Sequence, residues 1–264
     1  MKFNYSDALK NFQNGKINEA KQICEEILKS EPNNFNAYYL LGVIAFQTKN
    51  YIKSDDLISK AIEINPKNSE FYNFKGIALI HINKFEEAIE SWTKAIEIDP
   101  NSLDAYNNRG NALIKLKKNE LALKNFDQAL KLKPNFSQAL HNRSVVLKNL
   151  NRFEVALESV NKAIEINPKY VDAYNLKGVI LRELNQIENS LNSYDKAIKL
   201  NPKEESIYFS KASLYLTLNE PQKAKFSIRK GLSINKNKAW HIKQKIDLEI
   251  IPISILYTYQ QCPT

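Results

Sequence analysis

Cysteine is nearly absent from this chain: there are two, Cys24 and Cys262, at opposite ends of 264 residues. One distant pair makes no disulfide framework, and neither lies in a CxxC or Cys/His cluster, which points to a reducing compartment. Histidine is as sparse. His81, His141 and His241 stand far apart, and none has ligand or triad spacing to a cysteine, serine or carboxylate. There is no GxGxxG, no phosphate-binding GK[ST] loop and no HExxH. The paired acids Glu86–Glu87 and Glu204–Glu205 fall at helix starts, where they complement the dipole. No catalytic residue, metal site or cofactor is therefore expected.

Long apolar runs are missing as well. The most apolar stretch, "IIPISILY" (Ile250–Tyr257), contains Pro252 and falls far short of the roughly 20 residues of a membrane span. The opening "MKFNYSDALKNF" has no apolar core of signal-peptide length. A chain that is 43% hydrophobic and 25% charged has the composition of a soluble globular protein. The expected location is cytoplasmic.

What the sequence does contain is periodic. Pro32, Pro66, Pro100, Pro134, Pro168 and Pro202 recur at intervals of 34. Gly42, Gly76, Gly110 and Gly178 keep the same period, with Ser144 in the vacant slot. Alanine forms two further columns, Ala61–Ala95–Ala129–Ala163–Ala197 and Ala20–Ala88–Ala122–Ala156–Ala224. Repetition at this length marks a solenoid. Within "NSLDAYNNRGNALIKLKKNELALKNFDQALKLKP" two apolar stripes at helical spacing flank a polar break, "KLKKNE". Proline ends the second helix, lacking an N–H and disfavouring helix at the residue before it. The small residues Gly110, Ala122 and Ala129 let two antiparallel helices approach closely.

These columns resemble the tetratricopeptide repeat family, a 34-residue helix–turn–helix unit with Gly or Ala at its eighth position, Ala at the twentieth and twenty-seventh, and Pro at the thirty-second. The resemblance covers about 1–238 and implies an all-α fold, a right-handed α-solenoid of seven units: 1–34, 35–68, 69–102, 103–136, 137–170, 171–204 and 205–238. The end units diverge, with Asp7 and Ala8 in the first and Gly231 and Lys236 in the last, as terminal repeats facing water do. "KAWHIKQKIDLE", which contains Trp240, reads as a further first helix, so 239–249 is expected to be a capping helix. Residues 250–264 are expected to form an irregular tail.

In that family the first helices line a concave groove, and positions two, five, six, nine, twelve and thirteen point into it. Carried onto this chain, the candidate peptide contacts are Asn73, Phe74, Ile77, Asn107, Asn108, Asn111, Lys115, His141, Asn142, Val145, Asn175 and Arg182. The stretch "NNRGN" is similar to the asparagine ladder of O-linked N-acetylglucosamine transferase repeats, with Asn108 and Asn111 matching both rungs and Asn142 one. An asparagine offers both a donor and an acceptor to a passing main chain. The chain holds 32 asparagines, however, and such a bias also scatters them over any exposed surface. Capture of a terminal carboxylate, as in chaperone-binding relatives, is disfavoured because Asp172 and Leu176 stand where basic residues are needed.

A further column, Lys75, Arg109, Arg143, Lys177 and Lys211, reads either as a basic ladder beside the groove or as packing. In the second reading, which the position between helix faces favours, the stems cover apolar surface while the heads reach water or acids such as Asp127 and Asp195. The net charge of +9 is concentrated: Lys223, Lys225, Arg229, Lys230, Lys236, Lys238, Lys243 and Lys245 lie in an acid-free stretch from Gln222 to Lys245. Such a cluster attracts acidic proteins, nucleic acid or anionic lipid, or simply solvates a cap. Phe226 and Trp240 are expected in core slots, which leaves few aromatic platforms and makes nucleic acid the less favoured partner.

The expected function is a non-catalytic scaffold that binds a peptide segment of a partner protein. Two alternatives stand beside it: a substrate-presenting arm of a glycosyl- or sulfotransferase system, and a basic adaptor working through residues 222–245.

Overall fold

The structure, a computed structural model, describes residues 4–234. The expected capping helix, the tail, and Lys236, Lys238, Lys243 and Lys245 lie outside the described residues. Among the described residues every regular element is an α-helix, and the chain divides into two compact units, Met1–Ala139 and Leu140–Thr264.

The first unit is a run of helical hairpins: α1 (Tyr5–Gln13) with α2 (Ile17–Ser30), α3 (Phe35–Gln47) with α4 (Tyr51–Ile64), α5 (Ser69–His81) with α6 (Phe85–Ile98), and α7 (Leu103–Lys115) with α8 (Asn119–Leu132). Helices α2, α4 and α6 also pack on the first helix of the next hairpin. Helix α9 (Ser137–Asn149) begins at the end of this unit. The second unit contains the rest of α9, then α10 (Phe153–Ile166), α11 (Val171–Glu183), α12 (Ile187–Leu200), α13 (Glu205–Thr217) and α14 (Pro221–Ile234). There α11 pairs with α12 and α13 with α14.

Many asparagines have local work. Asn4, Asn34, Asn50 and Asn68 cap helix N-termini, each accepting a backbone N–H within its first turn. The turns between paired helices pass through the left-handed region once per hairpin, at Gly15, Lys49, Asn83, Lys117, Asn151, Asn185 and Asn219, with φ from +55° to +75°. Asparagine tolerates that conformation better than other side chains. Lysine does not, and Lys49 and Lys117 sit there against preference.

The glycine column serves a closer approach than alanine alone implies. A Cβ on Gly76 would lie 2.5 Å from Trp92 Cε2, and one on Gly110 would lie 2.7 Å from the Phe126 ring. The partner is thus a bulky side chain sixteen residues on, laid across the bare helix backbone, and not the alanine of the second helix. Size is compensated at most positions of this column, Ala212 with Ile228 being the exception. Glycine faces Ile58, Trp92, Phe126 and Tyr194, whereas buried Ser144 is matched by Val160 and buried Ala8 by Cys24. Interiors packed to crystal density require this kind of exchange of volume.

A hydroxyl follows the same logic. Ser54 and Ser190 on second helices donate to the carbonyls of Gly42 and Gly178 at 2.8 and 2.7 Å. In the hairpin where serine replaces the glycine, Ser144 donates the other way, to the Ala156 carbonyl at 2.8 Å. All three serines are fully buried, and each is satisfied by the bond that crosses its hairpin.

Candidate functional site

The basic column is built into the packing. Lys75 Nζ donates to Ser59 Oγ at 2.9 Å and faces Asp55 at 3.8 Å. Arg109 donates from Nε to Asn125 Oδ1 at 2.8 Å and from Nη1 to Thr93 Oγ1 at 3.1 Å. In the second unit Arg143 donates to Ser159 and Lys211 pairs with Asp195. These partners lie on second helices, sixteen residues before or after the cation, except Asp55, which is twenty before Lys75. Lys75, Arg109, Arg143 and Lys211 are thus braces between helices and not a free basic ladder.

The first-helix face of the first unit has another composition. Trp92, admitted by Gly76, donates its indole N–H to the Asn73 carbonyl at 3.0 Å. That anchors the backbone from which the Asn73 side chain projects. Asn108 Nδ2 then donates to Asn73 Oδ1 at 3.4 Å, a bond at the long end of the useful range, between successive first helices. Asn111 is half-buried and makes no side-chain hydrogen bond among the described residues. Asn107 is nearly buried, at 9% exposure. Lys115 is exposed at the helix end.

Beside the asparagines lies an aromatic patch. Phe46 meets Phe74 edge-on at 5.4 Å and His81 at 5.0 Å, and His81 stacks on Tyr51 at 4.4 Å. Tyr39 approaches Phe74 at 5.8 Å and donates its hydroxyl to Glu70 Oε1 at 2.8 Å. Burial and this carboxylate together push the Tyr39 phenol pKa well up. Ile77 is half-buried on the same helix as Phe74. Tyr39 and Phe46 were legible in the sequence, at the fifth and twelfth positions of the second repeat, the columns that pick out Asn73 and Arg182.

In the second unit His141 Nδ1 lies 3.2 Å from Asn142 Oδ1, and its ring packs on Tyr170 at 5.0 Å. Burial draws the His141 imidazole below its ordinary pKa, partly opposed by Asn142 and Asp172. Val145 and Lys148 follow on the same helix, and burial lowers the Lys148 ammonium too. Asn175 keeps a buried Oδ1 with no hydrogen-bond partner. Arg182 is already committed to Glu183 Oε1, at 3.2 Å from Nε and 2.6 Å from Nη2, and to Ser213 Oγ at 3.1 Å.

One sequence expectation is corrected on α14. Phe226 does not occupy a core slot: it is 63% exposed, and the Lys230 ammonium sits 5.6 Å from its ring centroid. The core positions of α14 are instead Ala224, Ser227, Ile228, Gly231 and Leu232, a stripe at helical spacing that leaves residue 226 outside. Lys223, Lys225, Arg229 and Lys230 are exposed on the same helix.

Among the described residues no group of three or more His, Cys, Asp or Glu side chains could hold a metal ion. Nor is any described helix long and apolar enough to cross a membrane.

Family models described as tetratricopeptide repeat match residues 103–136, 137–170, 160–191 and 205–238, and one described as TPR repeat matches 76–117 and 178–219. Together they span 76–238 without a gap. A model for subunit 3 of the anaphase-promoting complex, or cyclosome, matches 13–95. No curated protein matches the chain. Among solved structures, MamA from Desulfovibrio magneticus RS-1 is 21% identical, with 64% of this chain and 96% of that one covered and a TM-score of 0.57. YrrB, described as a TPR protein with an unusual peptide-binding site, is 23% identical over 71% of this chain and 97% of that one, at a TM-score of 0.54. The Cut9–Hcn1 hetero-tetramer of the anaphase-promoting complex is 16% identical, covering 87% of this chain and 45% of that one, at 0.71. At these identities the likeness is one of fold.

Proposed function

The chain belongs to the tetratricopeptide repeat family, and on that premise we propose that it is a non-catalytic scaffold that captures a peptide segment of a partner protein on its first-helix faces. The observation that carries this reading is the pairing of amides with an aromatic patch in the first unit, Asn73, Asn108 and Asn111 beside Phe46, Phe74 and Ile77.

The physical argument runs from spacing. Packed helices stand about 8–10 Å apart, roughly three residues of an extended chain at about 3.3 Å each. Amides on successive first helices thus meet an extended peptide at backbone groups of the same phase. The rings take up its apolar side chains. The mutual bond of Asn73 and Asn108 is weak by its length, so exchanging it for peptide N–H and C=O groups costs little. Helices held by buried glycine–ring packing are preformed, which limits the ordering cost of binding. In the second unit His141, Asn142, Val145, Asn175 and Arg182 offer a more polar version of the same face.

The test is a display library of random peptides panned on the full chain. Enriched peptides should bind the Asn108→Ala/Asn111→Ala variant at least ten-fold more weakly, with its thermal melt unchanged. Equal affinity for both proteins overturns the reading.

A further inference from the structure

Residue 226 belongs to a column that is exposed in every repeat. Its earlier members are Gln22, Asp56, Glu90, Lys124, Glu158 and Asn192, all polar, as an outward position in a soluble helix requires. Only the last member is a large hydrophobe, Phe226. The helix carrying it, α14, has no acidic residue and presents Lys223, Lys225, Arg229 and Lys230. An exposed apolar side chain alone is unremarked on any surface. This one lines a cleft of about 510 Å³, whose apolar walls are Ile198 of α12, Tyr208 and Tyr215 of α13, and Phe226 itself, with Asp195 as its one acidic lining residue.

The cations are arranged around those rings. Lys211 and Lys223 approach the Tyr215 ring at 5.8 and 5.7 Å, and Lys230 approaches Phe226 at 5.6 Å. Two of these charges are neutralised, Lys211 by Asp195 and Lys223 by Glu220. Lys230, the third cation lining the cleft, makes no ion pair within the described residues, and Lys225 and Arg229, elsewhere on α14, add positive charge near it.

We propose that this cleft on α13 and α14 is a second docking site, which takes an acidic peptide segment bearing one apolar anchor side chain. Charge complementarity selects the acid, and the ring-lined cavity selects the anchor. An anchor that covers the Phe226 ring displaces the Lys230 ammonium, which is then free to pair with a flanking carboxylate. Lysine suits this role, being a mobile point charge that accepts carboxylates at varied spacing. Single-stranded nucleic acid fits less well. It needs a succession of stacking platforms, whereas Tyr208 and Tyr215 are half-buried and Phe226 alone is well exposed.

The experiment is fluorescence anisotropy on the full chain with three labelled probes: a short peptide of one Phe flanked by Glu and Asp, the same peptide with Ser for Phe, and an oligothymidylate. The Phe peptide should bind best, and added salt should weaken it. Phe226→Ser and Lys230→Glu should each weaken it about ten-fold, while Asn108→Ala/Asn111→Ala leaves it unchanged. Both substituted side chains at the cleft are exposed, so thermal melts should match the wild type. Phe-peptide binding that survives Phe226→Ser overturns the proposal. So does an oligothymidylate that binds more tightly and depends on Phe226, which would make the face one for nucleic acid.

Discussion

Arg109 donates from Nε to Asn125 Oδ1 at 2.8 Å across its own hairpin, and the same guanidinium reaches Thr93 Oγ1 of the preceding hairpin at 3.1 Å. One side chain thereby ties two consecutive second helices, α6 and α8, through a first helix, α7. Burial depresses the guanidinium pKa, but it stays charged at any ordinary pH, so its hydrogen bonds are charge-assisted. Arg109→Leu should therefore destabilise the first unit by about 1–2 kcal/mol. Arg109→Lys should recover only part, because one ammonium cannot reproduce the fork. Urea titration followed by circular dichroism measures both, and an undiminished midpoint in Arg109→Leu would show the brace to be energetically idle.

The exchange of volume between the eighth and twenty-fourth positions predicts a coupled pair. Gly110→Ala places a Cβ 2.7 Å from the Phe126 ring and should cost about 1–3 kcal/mol. Phe126→Val alone opens a cavity and should cost about 2–4 kcal/mol. Combined, they approach the Ser144–Val160 arrangement already present in the chain, so the double variant should be more stable than the sum of the two costs implies. A double-mutant cycle measures this, and strict additivity would refute the compensation.

Lys49 and Lys117 hold φ of +61° and +57° at turns where the other members of the column are glycine or asparagine. Lys49→Gly and Lys117→Gly relieve left-handed strain of order 1 kcal/mol, less what glycine adds to the entropy of the unfolded chain. Each should raise the melting temperature slightly, with the Asn substitutions giving a smaller gain. A fall in melting temperature on both Gly substitutions would mean that the lysine stems contribute more than the strain removes.

His141 makes stability depend on pH with a definite sign. Burial holds its folded-state pKa below the ordinary 6.5, so the unfolded chain takes up the proton first as pH falls. Stability from this group is complete above pH about 6.5 and is lost as pH drops through the window beneath it. Asp172 and Asn142, which face the ring, moderate the effect without reversing it. The melting temperature of the wild type should drop more between neutral and mildly acidic pH than that of His141→Gln. Parallel curves for the two proteins would assign the acid sensitivity to the carboxylates.

Much of this protein could be read before its structure was seen, because a repeat writes the same constraint several times. The prolines, glycines and alanines at intervals of 34 gave a pattern that no single hairpin could have shown, and the all-α hairpin architecture follows from it. The aromatic patch is legible by the same columns, in Tyr39 and Phe46 of the second repeat. Two things were not legible. The glycine column does not say what crosses it, since alanines at the twentieth position and rings at the twenty-fourth are both near at hand. Only the helix crossing brought Trp92 and Phe126 onto bare backbone.

Phe226 is the other case. A phenylalanine in an amphipathic helix is normally core, and four basic neighbours do not alter that expectation. Its exposure is decided by phase: Ala224, Ile228 and Leu232 take the buried stripe against α13, and residue 226 falls outside that stripe, on the exposed wall of the cleft. The sequence by itself determined the period, the hairpins and their breaks, because these depend on local propensity and on residues a fixed distance apart. Which faces meet, which cations become braces and which ring stays in water were decided by tertiary packing, because those depend on distances between helices that no local pattern encodes.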